Sequence, residues 1–288
     1  MSLTRVNSGE SPAPTNNVPL QGGVRLKGVI SQDRADQPLV TVITAVYNGN
    51  PYIAGCLDSV LSQDYSNIEH IVLDGGSSDG TVEMLRQYSD QLALWKSEPD
   101  EGVYDAWNKA LLEARGEWIC FLGADDEFVP GAVSAYMKLA AKNPNAEYLS
   151  SRVRVVYSTG YERILGEPWT WSRFSKSMCT AHVGSMHRRS LFDRLGVYDT
   201  TYRSASDYEL LLRARHGLRA DYMPIVTAKM RAGGLSLTYA AIEEEARAKM
   251  SAGGRNRVLT ALELYLAKVK FPLRIPRAAL AKRARRAG

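Results

Sequence analysis

Glu117-Trp-Ile-Cys-Phe-Leu-Gly-Ala-Asp-Asp126, followed by Glu127, decides how the chain is read. The run from Trp118 to Leu122 is continuously apolar, which suits a parallel strand covered on both faces. Gly123-Ala124 ends the run, and the adjacent carboxylates Asp125 and Asp126 follow at its C-terminal end. In open α/β sheets, ligands bind outside the carboxyl ends of such strands. Two neighbouring acids raise each other's pKa unless a cation sits between them. Mg²⁺ and Mn²⁺ favour oxygen ligands, and their sites use one or two carboxylates plus substrate phosphates. A solvated turn with two acids has the same sequence, so the rest of the chain must decide between the two.

Upstream, Leu39-Val-Thr-Val-Ile-Thr-Ala-Val46 is rich in β-branched residues and reads as a buried strand. Tyr47-Asn-Gly-Asn-Pro51 is turn chemistry, and Pro51 opens a helix to about Ser62. Ile68–Leu73 is a second strand, running into Asp74-Gly-Gly-Ser-Ser-Asp-Gly-Thr81 and a helix. A third strand at Leu92–Lys96, a helix at Gly102–Ala114 and a helix at Pro130–Lys142 complete the pattern. Strand alternating with helix argues an α/β fold with an open, mostly parallel sheet and helices on both faces. Downstream, Tyr148–Val156 and Tyr161–Leu165 read as a hairpin, residues 167–187 as aromatic and irregular, and 188–195 and 207–215 as short helices.

The 288 residues are 45% apolar, enough for one large domain with appendages. Residues 1–37 lack periodicity and read as disordered, with order arriving late near Val24–Ile30. Residues 38–240 form the domain, and 241–288 a helical, basic extension. Cys56, Cys120 and Cys179 are odd in number and widely spaced, which suggests neither a disulfide framework nor a metal site and favours a reducing compartment. There is no apolar leader and no run of about 20 apolar residues, so a cytoplasmic protein is expected.

The loop at 74–81 lacks the Gly-Lys-Ser/Thr of a phosphate-binding P-loop and the G-x-G-x-x-G of a dinucleotide fold. Turn and cap chemistry explains its glycines, serines and Asp79, but explains Asp74 at the strand end less well. Taken in order, the strand followed by Tyr-Asn, then Val-Leu-Asp-Gly-Gly-Ser-Ser-Asp-Gly-Thr, then Gly-Val-Tyr-Asp-Ala-Trp-Asn-Lys, then Phe-Leu-Gly-Ala-Asp-Asp, resembles the family 2 glycosyltransferases. The match runs over about 39–240. Its motif forms are similar to the branch that includes bacterial colanic-acid-type and phenolic-glycolipid-type enzymes.

That resemblance implies the GT-A fold and an inverting, metal-dependent transfer of a sugar from a UDP-, GDP- or dTDP-linked donor. The acceptor would be a saccharide or lipid-linked hydroxyl in cell-surface polysaccharide or glycolipid synthesis. It implies that Ala45, Val46 and Tyr47 hold the nucleotide base, with Asp74 hydrogen-bonded to it. Gly102 and Asn108 join the donor site. Asp125 would contact ribose or sugar, and Asp126 the divalent Mn²⁺ or Mg²⁺ on the diphosphate. The Ala-Asp-Asp form replaces Asp-x-Asp, so the division of roles between the two acids stays open.

The resemblance also implies a late carboxylate as base, and Asp207 in Ser206-Asp-Tyr-Glu-Leu210 fits the pattern best, with Glu209 second. One positioned carboxylate suffices to deprotonate an acceptor hydroxyl. By spacing alone Asp207 reads better as a helix-start acid favoured by the helix dipole, with Ser206 as cap, and it is the resemblance that favours the base. His182 lies where the family binds acceptor, although a lone histidine is more often structural. The Trp169/Trp171 pair reads as cover for the sheet, and Gly233-Gly-Leu-Ser236 as a flexible turn. From Lys268 to Arg286 cations alternate with apolar residues, which suits a peripheral segment on an anionic membrane surface and equally a solvated disordered tail. A nucleic-acid partner lacks any supporting module. Two other functions compete: an inactive nucleotide-binding module, which would lack Asp126 or Asp207, and a nucleotidyltransferase, which would carry a basic glycine-rich loop near 44–51.

Overall fold

The β-branched runs and the helical repeats fold into one mixed sheet with helices on both faces. The computed structural model describes residues 20–233 and 238–274. Its strands are β1 (Leu20–Gly22), β2 (Val40–Val46), β3 (Ile68–Asp74), β4 (Leu94–Ser97), β5 (Trp118–Phe121), β6 (Glu127–Phe128), β7 (Tyr148–Val156), β8 (Glu162–Leu165), β9 (Ser185–Arg188) and β10 (Ala220–Arg231). Its helices are α1 (Asn50–Leu61), α2 (Thr81–Gln87), α3 (Val103–Glu113), α4 (Ala132–Lys142), α5 (Trp171–Phe174), α6 (Arg189–Leu195), α7 (Ser206–Ala214), α8 (Tyr239–Ser251) and α9 (Arg257–Arg274).

The sheet order is β1-β4-β3-β2-β5-β9-β7-β10-β6, with β8 paired to β7. The β4-β3-β2-β5 block is parallel. Beyond it β9 runs antiparallel to both β5 and β7, so the sheet is mixed rather than mostly parallel. The chain steps from β2 outward to β4, then returns across β2 to lay down β5. That reversal opens a crevice at the carboxyl ends of β2 and β5, the usual place for a ligand in such sheets.

Burial follows strand alternation. Val40, Val42, Trp118 and Cys120 pack with Cys56 and Val60 of α1 and Tyr136 and Met137 of α4. Ile43, Ile119 and Phe121 face the other way, against Tyr104 and Ala110 of α3 and Leu211 of α7. Both faces being covered explains why β2 and β5 read as unbroken apolar runs.

The expected disorder of 1–37 does not extend over residues 20–37. β1 adds to the edge of β4, and Val24 and Arg25 donate backbone N–H groups to Leu92 and Ala93. Arg25 forms an ion pair with fully buried Glu69. These are long-range contacts without a local periodic signature. Residues 1–19 lie outside the described residues, as do the last twelve positions of the expected basic segment and Gly234–Ser236 of the glycine turn. The expected hairpin at 148–165 forms. Trp169 and Trp171 pack against the core, as their cover role requires.

Candidate active site

A cleft of 500 Å³ lies over the carboxyl ends of β2 and β5, lined by Ala45, Val46, Tyr47, Asp125, Asp126 and Asp207 among others. It adjoins a hollow of 710 Å³ walled by Tyr47, Gly75, Asp100, Glu101, Gly102 and Arg203. Tyr47 is 69% exposed and borders both. Gly75 admits Asp100: a Cβ there would stand 2.6 Å from Asp100 Oδ2. Gly102 has φ +122° at the start of α3, a conformation that favours glycine.

Asp125 and Asp126 follow β5 as the strand pattern requires. Asp126 is 5% exposed, and its Oδ1 accepts the Arg231 backbone N–H at 3.0 Å. Burial, then the neighbouring Asp125 charge, pushes its carboxyl up to about 7. A hard divalent cation would relieve both effects, so the pair fits such an ion chemically. Among the described residues no group of three or more His, Cys, Asp or Glu is arranged to hold a metal. Asp125 and Asp126 are the carboxylates such an ion would meet here, with phosphate or water supplying remaining oxygens.

Across the cleft, Asp207 sits in the first turn of α7. Tyr104 Oη donates to Asp207 Oδ1 at 3.0 Å. Burial raises the Asp207 carboxyl to about 6, against the opposing hydrogen bonds from the Tyr208 N–H and Tyr104. An acid poised there is ionised at neutral pH yet more basic than an ordinary carboxylate. Ser206 does not cap the helix: its Oγ is buried and unpartnered.

His182 separates this cleft from a second groove of 780 Å³, and Val183 and Asp207 border both. The imidazole stacks on Phe121 at 5.1 Å and stands 4.9 Å from Trp107. Neither ring nitrogen has a protein partner, and burial lowers its pKa to about 3, so the ring is neutral. The second groove carries Arg152, Arg163 and Arg173 beside Ile164 and Met178. Arg173 is paired with Glu167, whereas the Arg163 side chain has no ion pair among the described residues.

Three expected site residues are engaged elsewhere. Asp74 is 1% exposed, and its Oδ2 accepts from Gly76 N–H at 3.1 Å, Ser77 N–H at 2.9 Å and Ser97 Oγ at 2.6 Å. Its carboxylate is occupied in closing the loop after β3. The side-chain amide of Asn108 bridges the backbone O and N–H of Tyr198 at 2.9 and 3.0 Å and does not reach the cleft. Glu209 is held by Arg213 Nε at 2.9 and 3.0 Å, and Arg213 also donates to Leu195 O and Val197 O. That network ties α7 to the end of α6, and Glu209 lines neither the cleft nor the second groove.

Sequence reasoning missed Tyr104, Trp107 and Arg203. Tyr104 lies inside the quoted Gly-Val-Tyr-Asp-Ala motif, so its signal was available; one turn of helix carries Trp107 onto the same face. Arg203 had no local signal. It borders both hollows because its Nη1 donates to Glu101 O at 2.7 Å and its N–H to Glu244.

Residues 41–193 match the family model described as Glycosyl transferase family 2. An uncharacterised glycosyltransferase of Mycobacterium tuberculosis is 36% identical over 183 residues, covering 62% of this chain and 69% of the relative. A PGL/p-HBAD biosynthesis glycosyltransferase of Mycobacterium bovis is 29% identical over 209 residues, covering 70% of this chain and 80% of that one. Among solved structures, S. aureus TarS in complex with UDP superposes with TM-score 0.62 at 19% identity, covering 83% of this chain and 75% of that chain. The mannosyltransferase PcManGT from Pyrobaculum calidifontis, in complex with GDP-Man and Mn²⁺, superposes with TM-score 0.62 at 23% identity, covering 90% of this chain and 78% of its own. The GT-A fold is thereby shared.

Proposed function

The chain belongs to glycosyl transferase family 2, and from that premise we propose that it transfers a sugar, with inversion, from a nucleoside diphosphate sugar to an acceptor hydroxyl presented at Asp207. One observation carries this reading: the Asp125–Asp126 pair and Asp207 border a single cleft, and Asp207 also borders the groove beyond it. A donor diphosphate belongs at the acid pair, beside Tyr47 and the hollow that runs to Asp100 and Gly102. UDP bound to TarS and GDP-Man bound to PcManGT support a donor of this class.

The acceptor belongs in the second groove, with its hydroxyl between His182 and Asp207. Asp207 takes the hydroxyl proton while the oxygen forms its bond to the anomeric carbon. The bond from that carbon to the phosphate oxygen breaks, and the nucleoside diphosphate leaves with the electron pair. A bound Mn²⁺ or Mg²⁺ would stabilise charge on that leaving group as a Lewis acid. Asp125 and Asp126 would hold it, and the Mn²⁺ in PcManGT supports that. Tyr104 fixes the Asp207 carboxylate. The neutral His182 ring, packed on Phe121 and Trp107, forms the wall between the donor cleft and the acceptor groove. The arginines of the groove favour an acceptor that carries negative charge.

The test is a panel of UDP-, GDP- and dTDP-sugars scored by thermal stabilisation and by donor hydrolysis, each with Mn²⁺, Mg²⁺ or chelator. At least one donor should stabilise the protein only when metal is present. Stabilisation by no donor, or stabilisation indifferent to chelator, would refute the donor or the metal half of the reading respectively.

A further inference from the structure

We infer that the outward face of α9 docks the protein on an anionic lipid surface. α9 has two apolar faces. One is used internally: Thr260 is fully buried, and Phe271 packs against Tyr239 of α8 with ring centroids 4.4 Å apart. The other carries Val258, Leu259, Leu262, Tyr265, Leu266 and Val269, each between 45% and 77% exposed. At about 100° per residue these six lie within an arc of roughly 120°, facing away from Thr260 and Phe271. An ordinary surface helix turns its second face polar. A contiguous exposed apolar stripe instead marks a docking surface.

Charge selects the occupant. From 264 to 288 the sequence holds eight Lys or Arg and no Asp or Glu. A second copy of the chain seated on the stripe would bring two such cationic runs together. An anionic bilayer neutralises them, at about 1 kcal/mol per cation near the surface. Tyr265 has the apolar ring and polar tip suited to the water–lipid boundary. No described helix is long and apolar enough to cross a membrane, so α9 would lie on the surface. The anchor therefore begins at Val258, a full ten residues before the basic segment that the sequence pattern marks.

The position has a consequence for catalysis. Just ahead of α9, Arg255 donates from Nη1 to Ser175 O and pairs with Glu263. Ser175 lies between Arg173 and Ser177, which line the second groove. Docking through α9 would hold that groove beside the lipid surface, where a lipid-borne acceptor arrives. This consequence rests on the acceptor reading of the groove; the docking itself does not.

Co-sedimentation of the full chain with phosphatidylcholine vesicles, with and without about one third phosphatidylglycerol, tests it. The wild type should pellet with the anionic vesicles and be released by high salt. Leu262→Glu/Leu266→Glu should weaken this at least about tenfold, since each leucine loses its burial in lipid. Leu262→Phe/Leu266→Phe should bind at least as well as wild type. Both variants touch no core residue, and circular dichroism checks their fold. Failure of the wild type to bind anionic vesicles, or equal binding by the glutamate variant, would overturn the inference. So would a dimer in sedimentation velocity that the glutamate variant splits while vesicles go unbound. Donor stabilisation is measured separately, so either reading can fail alone.

Discussion

Asp207 is where the sequence and the surroundings disagree about an ordinary acid. Its carboxyl is raised by burial from the usual 3.8 to about 6. Between those values the folded protein holds the proton more tightly than the unfolded chain does. The stability of the protonated form is thus present below about pH 4 and lost as pH rises through about 6. Asp207→Asn keeps the oxygen that Tyr104 bonds but removes the buried charge. It should transfer sugar at least about 10²-fold more slowly while binding UDP and metal normally. It should also be more stable than wild type above pH 6, by about 1–2 kcal/mol after allowance for the side of the carboxylate open to the cleft. Thermal melts at pH 4 and pH 7.5 read the difference, which should vanish at the lower pH. The wild-type acid limb of kcat/KM should fall below about pH 6. Transfer from an α-linked glucosyl donor should give the β-anomer by proton NMR; retention, or near-normal turnover by Asp207→Asn, sinks the base assignment. Asp74 is the contrasting case. Its alanine variant strands two backbone N–H groups and the hydroxyls of Ser77 and Ser97, so it should lose about 1–3 kcal/mol of stability together with donor affinity. An unchanged melting temperature with weaker UDP binding would restore a direct contact to the base.

At the scale of elements, α7 matters because it points one acid at the cleft and the other at a brace. Glu209, two residues after Asp207, accepts from Arg213, which in turn donates to the carbonyls of Leu195 and Val197. Glu209→Gln should therefore lower the melting temperature by a few degrees while per-molecule turnover stays within a few-fold of wild type. A large fall in kcat at unchanged stability would make Glu209 the better base. The strand that presses on the acid pair was not legible. Ala220–Arg231 contains Pro224, and its register to β7 shifts between Tyr222 and Val226 and again between Val226 and Ala228. Irregular pairing destroys the alternation by which strands are recognised, and proline in a strand is tolerated at such breaks. β9 was missed because Ser185-Met-His-Arg188 has neither the β-branched nor the continuous apolar character that marks the equally short β5.

At the scale of the molecule, the boundary of the folded unit lies earlier than the onset of strong pattern at Pro38. The chain lacking residues 1–19 is the reference for a longer truncation. Removing residues 1–37 takes Arg25 from Glu69, whose side chain is fully buried, and should cost about 3–5 kcal/mol, read by urea denaturation. Equal stability of the two truncations would return 20–37 to the status of a tail. What the sequence determined by itself is the sheet's parallel block and the acids at its ends. Trp118–Leu122 and Leu39–Val46 are apolar because both faces are covered, and a strand's direction carries its last residues into the crevice. Those are local facts of composition and period. Tertiary structure decided which polar side chains stay free. Asp74 and Asn108 share motif positions with cleft residues, but Ser97 and Tyr198, 23 and 90 residues away, take up their side chains; Glu209 is the local exception, held by Arg213 one turn on in its own helix. Tyr104 reached Asp207 across a separation of 103 residues, and His182 and Val183 came to border both hollows. Side-chain polarity is written in the sequence; whether a carboxylate meets a donor, a neighbour or open space depends on chain segments that only folding brings together.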